Sequence, residues 1–327
     1  MRSKKQFSRT VSLFAFIFSG YNAYSQFEIA NTEYLPKLKD GITYVAMHDT
    51  ASVKSREYKE IIQKYWDFSK IKFINNNQIS EKTAQGVSFL TIGGYETTTQ
   101  FTTLYSDGRS KEGINYSTTH IYLEFWTIND KYYQKKKSKP VSNDDKLRIG
   151  RVELFTDFPT LNMPENIYKE NYDMGGHVRN WGPGYVKNYI QALNSMLKKG
   201  EERKLYDKFS DPQKLKSLKT QTLYVPDYIL IKFNKFTGDE TEKHDEKDVF
   251  EDYEFKYKLV SNTELNQMIM TSDDKPFYYL VYIKSSTDKF LTVMDSKTGE
   301  FIYTVYVPVS YNISSKDLKA LSSAIKG

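Results

Sequence analysis

The chain carries four histidines, His48, His120, His177 and His244, and no two have the i, i+4 spacing with which a helix presents two imidazoles to zinc. There is no Gly-x-Ser-x-Gly elbow to expose a serine nucleophile, no glycine-rich phosphate loop ending in lysine, and no calcium-loop pattern. Cysteine is absent, which excludes thiol nucleophiles, thiolate metal sites and dithiol redox pairs. No catalytic residue, metal site or cofactor is therefore assigned. Two arrangements can still bind something. His48-Asp49 ends a strand-like run, where the crevice of an α/β sheet lies, although Asp49 and Thr50 can equally make a turn before a helix. Gly175-Gly176-His177-Val178-Arg179-Asn180-Trp181-Gly182-Pro183-Gly184 places His177, Arg179 and Trp181 at a helix start, where backbone N–H groups favour an anion or carboxylate. The same segment reads as packing if Trp181 plugs a groove and the glycines allow a tight entry turn. The carboxylates Asp144-Asp145, Asp239-Glu240 and Asp273-Asp274 sit near lysines in polar stretches and read as solvated charge.

The elements that must position these residues show an internal echo. Tyr65-Trp66-Asp67-Phe68 leads from a helix into the strand Lys70 to Ile74, and Asp252-Tyr253-Glu254-Phe255 leads into the run through Val260. Each copy is preceded by a strand and a charged helix, and followed by an Asn-containing cap, a short helix and an aromatic strand. In the first copy, Ile42 to Met47 alternates as a strand, and Ser52 or Ser55 caps a helix bearing Tyr58, Ile61, Ile62 and Tyr65 on one face. A short helix near Ser80 to Ala84 and the strand Val87 to Ile92 complete a β-α-β-α-β order that implies parallel pairing. Gly93-Gly94 is expected to break that strand. Phe101 to Tyr105, a loop from Ser106 to Gly113, and strands His120 to Ile128 and Leu147 to Phe155 follow as an antiparallel extension, joined by a hydrophilic loop from Asp130 to Asp145.

The second copy opens at Tyr228 to Phe233 and passes a charged loop from Thr237 to Asp248. Asn262 caps a helix carrying Leu265, Met268 and Ile269, and Pro276 introduces the strand Phe277 to Ile283. Phe290 to Met294 and Phe301 to Tyr306 flank an Asp295-to-Gly299 turn, and Ser314 or Ser315 starts a last helix with Leu318, Leu321 and Ile325 aligned. Between the copies, Pro183 opens and Gly200 closes a helix striped by Val186, Tyr189, Ile190, Leu193 and Leu197. The expected fold class is α/β (α+β mixed sheets): two related modules, 26–162 and 221–327, each a mixed sheet with flanking helices, joined by a helical connector, 163–220, docked between them.

Residues 1–25 read as a secretory signal peptide. Arg2, Lys4, Lys5 and Arg9 precede an apolar run from Val11 to Phe18, and Ala23-Tyr24-Ser25 supplies small residues before Gln26. The run is too short to span a bilayer and no second one follows, so the expected product is exported, periplasmic or extracellular, soluble, with no integral membrane segment. Without cysteine it is not a lipoprotein. Of 47 basic residues the leader holds four, leaving 43 against 41 acidic ones, and the one dense run, Lys135-Lys136-Lys137 with Lys139, ends at Pro140. Such a near-neutral balance lacks the field that binds a phosphate backbone, so no nucleic acid is expected as partner. The 27 Tyr and 20 Phe fall mostly in strand-like runs, as wide sheets require.

The second module, roughly residues 222 to 326, resembles a thioredoxin-like core in its order of elements, with Pro276 in place of that family's strand-preceding proline; thiol-disulfide activity does not carry over, because cysteine is missing. Val293-Met294-Asp295-Ser296-Lys297-Thr298-Gly299-Glu300-Phe301-Ile302-Tyr303 resembles the D-x-x-T-G-E hairpin of TolB amino-terminal and curli-secretion modules. That resemblance implies a periplasmic assembly or interaction domain. The Tyr/Lys/Asn-rich style and the Tyr-Ser-Gln leader end resemble secreted envelope proteins of Gram-negative bacteria. The expected function is a non-catalytic binding or assembly module for an envelope protein or glycan. The alternative is a hydrolase of an envelope polymer in which His48, Asp49, His177 and Arg179 converge between connector and first module.

Overall fold

A computed structural model of the chain describes residues 26–104, 108–134, 140–155, 178–205, 207–234, 239–285 and 288–327. The leader, the lysine run, His177 and residues 163–177 of the expected connector lie outside these. β1 (Phe27–Ile29) and α1 (Leu35–Lys39) lead to β2 (Ile42–Met47), α2 (Val53–Tyr65), β3 (Lys70–Asn75) and a 3-10 segment, Asn76–Lys82. The long strands β4 (Val87–Leu104) and β5 (Ser110–Ile128) follow, then α3 (Asp130–Gln134), β6 (Lys146–Leu154) and α4 (Pro183–Lys199). β7 (Phe209–Ser210), α5 (Pro212–Leu215), β8 (Leu223–Pro226), β9 (Ile231–Asn234), β10 (Asp239–Lys243), α6 (Glu246–Phe250), β11 (Tyr257–Val260) and α7 (Asn262–Met270) come next. β12 (Tyr278–Ser285), β13 (Asp288–Asp295), β14 (Phe301–Val307) and α8 (Ser315–Lys326) close the chain.

The strands form two six-stranded mixed sheets and a small β9–β10 ribbon. Read from one edge, the first sheet runs β3-β2-β4-β5-β6-β1 and the second β11-β8-β12-β13-β14-β7. Each has a central strand paired in parallel on both sides, β2 with β3 and β4, β8 with β11 and β12. The remaining pairs are antiparallel in both. This is the α/β architecture the internal echo implies, two similar modules built to one plan. Helix starts follow side-chain chemistry: Ser52 Oγ accepts from Ser55 N–H at 3.1 Å, and Ser314 with Asp317 makes a reciprocal capping box at α8. At α7 the cap is Ser261, accepting from Glu264 N–H, and not Asn262, because the β11 strand delivers Ser261 in the extended conformation a cap needs.

Four expectations change. Gly93-Gly94 does not end β4, whose register with β5 runs on through Gly93↔Tyr122 and Gly94↔Ile121. A Cβ on Gly93 would lie 2.7 Å from Tyr122 Cε2 and 2.9 Å from Glu124 Oε1, so this glycine makes room across the strand pair instead of breaking it. Tyr228 to Phe233 does not open the second sheet; Leu223–Pro226 does, and Asp227–Leu230 is a 3-10 turn before the inserted β9–β10 ribbon. The charged stretch after Thr237 supplies β10 and α6. Within the range read as connector, Phe209–Ser210 is an edge strand of the second sheet, paired with β14.

α4 is the keystone of the packing. Its residues from Gly184 to Ile190 are all buried, and it lies against α2 and α7 at once. Asn194 Oδ1 accepts from Asp67 and Phe68 N–H groups, tying α4 to the first module. Asn188 donates to Ser296 O at 3.0 Å and accepts from Tyr279 OH at 2.8 Å, tying it to the second. Lys187, fully buried, donates to Ile269 O, Ser272 Oγ and Asp273 Oδ1. One continuous apolar core therefore runs through both sheets, from Phe27 and Phe125 to Tyr279 and Leu321. Among the described residues no helix is long and apolar enough to cross a membrane.

Candidate functional site

The segment singled out around Trp181 lies where α4 enters this core. Trp181 is 1% exposed, its ring 5.6 Å from that of Tyr58 on α2, which is the burial the packing reading expects. Gly182 has φ +146°, and a Cβ there would strike the Asn266 side chain at 2.5 Å, so the turn demands glycine. The N–H groups exposed at this helix start do not wait for an anion. Asn266 Oδ1, one turn into α7, accepts from Gly184 N–H at 3.1 Å and Tyr185 N–H at 3.3 Å, capping the connector helix from the second module.

Beside this cap a groove of 570 Å³ opens between the modules, lined by Glu57, Trp181, Pro183, Asn262, Gln267 and Met270. Asn262, Asn266 and Met270 recur at helical i, i+4, i+8 spacing, a stripe along α7 that the sequence displays but that reads there only as a capped apolar helix. Arg179 does not line the groove. Its backbone N–H donates to Phe155 O at 2.7 Å and its guanidinium reaches Glu240 at 3.4 Å, in a seam where Glu240 also pairs with the buried Lys284. Lys284 lies 3.6 Å from the Phe233 ring centroid, and its pKa is lowered by burial, against the opposing charge of Glu240.

His48 and Asp49 are exposed after β2, and Asp49 Oδ1 accepts from Ala51 N–H at 2.8 Å, an Asx turn leading to the α2 cap. Among the described residues no hydrogen bond or ion pair joins either to Arg179 or Trp181. Of the carboxylate clusters, Asp144, Asp273 and Asp274 are exposed as expected, while Asp145 is buried and Glu240 half-buried. Asp145 is buried in a capping box with Ser142, Glu240 serves the Lys284 seam, and Asp273 pairs with the buried Lys187. Each anchors a cation or a turn; the Ser142–Asp145 box has a local spacing, whereas Glu240 and Asp273 have partners distant in the chain, which spacing could not show.

A second buried polar cluster occupies the face of the first sheet opposite the helices. His120 Nδ1 lies 2.8 Å from Ser285 Oγ of the second sheet, and Nε2 lies 3.0 Å from Thr97 Oγ1. Burial, and the nearby Arg151 charge, lower its pKa to about 4, with Asp288 opposing. Arg151 stacks 3.9 Å over Tyr122 and pairs with the buried Glu153. Among the described residues no group of three or more metal-ligating side chains is placed to hold an ion. In comparison with known proteins, no family model matches this chain, no curated protein matches its sequence and no solved structure matches its fold.

Proposed function

We propose that this is an exported cell-envelope protein that acts without catalysis as a binding or assembly module, engaging its partner through the arm made by β4 and β5. β2 pairs with β4 only over Val87 to Leu90, and β6 pairs with β5 only from Ile121 onward. Beyond Tyr95↔His120 the two strands continue to Leu104 and from Ser110, paired with each other alone among the described residues. That is roughly 30 Å of two-stranded ribbon. Both of its outer edges present strand N–H and C=O groups in the geometry that adds a partner's strand.

Its sequence, Thr97-Thr98-Thr99-Gln100-Phe101-Thr102-Thr103 against Lys111-Glu112-Gly113-Ile114-Asn115-Tyr116-Ser117-Thr118, is rich in β-branched residues and free of proline, with its charge confined to Lys111 and Glu112 near the tip, which favours strand pairing along the rest. The basic and apolar leader supports export, and the Asp295-to-Glu300 hairpin resembling envelope interaction modules supports the compartment. The test is capture of crosslinked partners from envelope extract with the full protein and with a variant in which residues 98–117 are replaced by Asn-Gly, so that the turn is closed by the Thr97↔Thr118 pair. Loss of a partner in the variant, with hydrogen-exchange protection of β4 amides when that partner is added, is the expected result. Equal capture by both proteins would remove the arm from the proposal.

A further inference from the structure

We infer that the groove between α4 and α7 is a binding site for a neutral saccharide. Its volume, 570 Å³, falls within the range of about 300–1,000 Å³ typical of small-molecule sites. Among the described residues the lining carries one ionisable group, Glu57, beside carboxamides from Asn262, Asn266 and Gln267 and hydroxyls from Thr263 and Thr271. Such a wall offers donors and acceptors without a counter-charge, the complement of a ring of hydroxyls and not of a phosphate or carboxylate.

Two further observations separate the sugar from other occupants. The α4 N–H groups that would hold an anion are already taken by Asn266 Oδ1. Asn262 Oδ1, by contrast, is shielded from solvent with no hydrogen-bond partner among the described residues, an acceptor whose desolvation a ligand hydroxyl would offset. Met270, 37% exposed, and Pro183 supply an apolar patch of the kind on which the C–H face of a pyranose rests. A peptide is the poorer fit, since only helices and a turn line the groove and no strand edge is offered to its backbone.

The test is saturation-transfer NMR on the purified full chain with cellobiose and N,N′-diacetylchitobiose, beside inorganic phosphate and trialanine. Transfer from a saccharide is expected, unaffected by phosphate, with Asn262→Ala and Met270→Glu each weakening it at least tenfold. Both side chains leave the α4 cap untouched, so melting temperatures should stay within a few degrees of wild type. Absence of transfer from both saccharides, transfer that survives both substitutions, or transfer from trialanine or phosphate instead would overturn the assignment. Because the arm plays no part in it, the variant lacking residues 98–117 should bind the saccharide as the intact protein does.

Discussion

The two sheets share strand order and strand sense, and differ in where each has been lengthened. In the second, β12 and β13 pair along their whole length and stop together at Ser285↔Asp288. In the first, the corresponding β4 and β5 run far beyond their neighbours. The second sheet instead inserts β9–β10 after its first parallel strand, where the first has only a short turn at Asp49 to Ser52. The core-facing positions thus obey one plan, while the exits from the sheets carry the individuality. Function is expected at the exits, because a lengthened hairpin or insertion alters the surface without disturbing the burial that stabilises the fold.

Each module also buries an ion pair, and these give the sharpest comparison. Arg151 and Glu153 lie on β6, with side chains 6% and 1% exposed; Lys289 and Asp317 join β13 to α8 at 2.5 Å, at 2% and 7%. Glu153→Ala or Asp317→Ala leaves a buried cation alone and is expected to cost about 3–5 kcal/mol. Asp317→Ala should be the worse, since it also removes the box with Ser314, worth about 1 kcal/mol. Urea denaturation measures both. Trp181→Ala belongs to the same range, about 3–5 kcal/mol for a truncated core aromatic. Because the core is continuous, every variant should unfold in one transition; separate transitions for the two modules would show that α4 does not couple them.

A pH titration probes the seam where the modules meet. His120 has its pKa lowered from 6.5 to about 4, so between these values the unfolded chain binds a proton that the folded chain does not. Its contribution is complete above pH 6.5 and is lost as pH falls toward 4. Arg151 and Asp288 face it from β6 and β13, the first lowering its pKa and the second opposing. His120→Gln keeps polar contacts to Thr97 and Ser285 while removing the titration. The stability difference between wild type and His120→Gln should therefore shift in the variant's favour from pH 7 to pH 4.5; parallel curves would mean that His120 is not shielded.

Smaller effects are expected at the cap shared between modules. Asn266→Ala leaves Gly184 and Tyr185 N–H groups without their acceptor and should cost about 1 kcal/mol, within the range of about 0.5–2 for lost helix caps. Asn194→Ala at the opposite end of α4 removes the equivalent tie to Asp67 and Phe68 and should cost about as much. If only one of the pair is felt in a thermal melt, α4 belongs energetically to that module.

Local pattern made the repeated plan legible. Alternation located β2, continuous runs of aromatic and β-branched residues located β12, β13 and β14, whose two faces are largely buried, and the stripe Val186, Tyr189, Ile190, Leu193, Leu197 located α4. The arm was hidden because Gly93-Gly94 carries the usual mark of a strand end, while its real reason, the bulk of Tyr122 and Glu124 on the facing strand, is a tertiary fact. The candidate site was half legible. Trp181 and its glycines stand out in sequence, but Asn266, Gln267 and Met270 lie some eighty residues later and meet them only after the two modules dock. Glu240 and Lys284 were invisible for the same reason, opposite charges brought together by the β9–β10 insertion.

The smallest expected effect on stability is the most telling for the comparison. Replacing residues 98–117 by Asn-Gly would leave the Thr97↔Thr118 pair to close the turn and give the first sheet a hairpin cut back toward the compact form of the second. A two-stranded ribbon without a third neighbour is marginal on its own, so removing it takes little burial away, provided that Tyr95, stacked 4.4 Å from the His120 ring, is kept at its base. The cost should be within about 1 kcal/mol, against the 3–5 kcal/mol expected for the buried pairs. The Asn-Gly dipeptide suits the type I′ turn that joins antiparallel strands. The variant should melt as the wild type does while losing the partner captured through the arm. A large drop in melting temperature would instead show that the arm packs back on the modules and is part of the fold, and would move the source of binding to another exit of the two sheets.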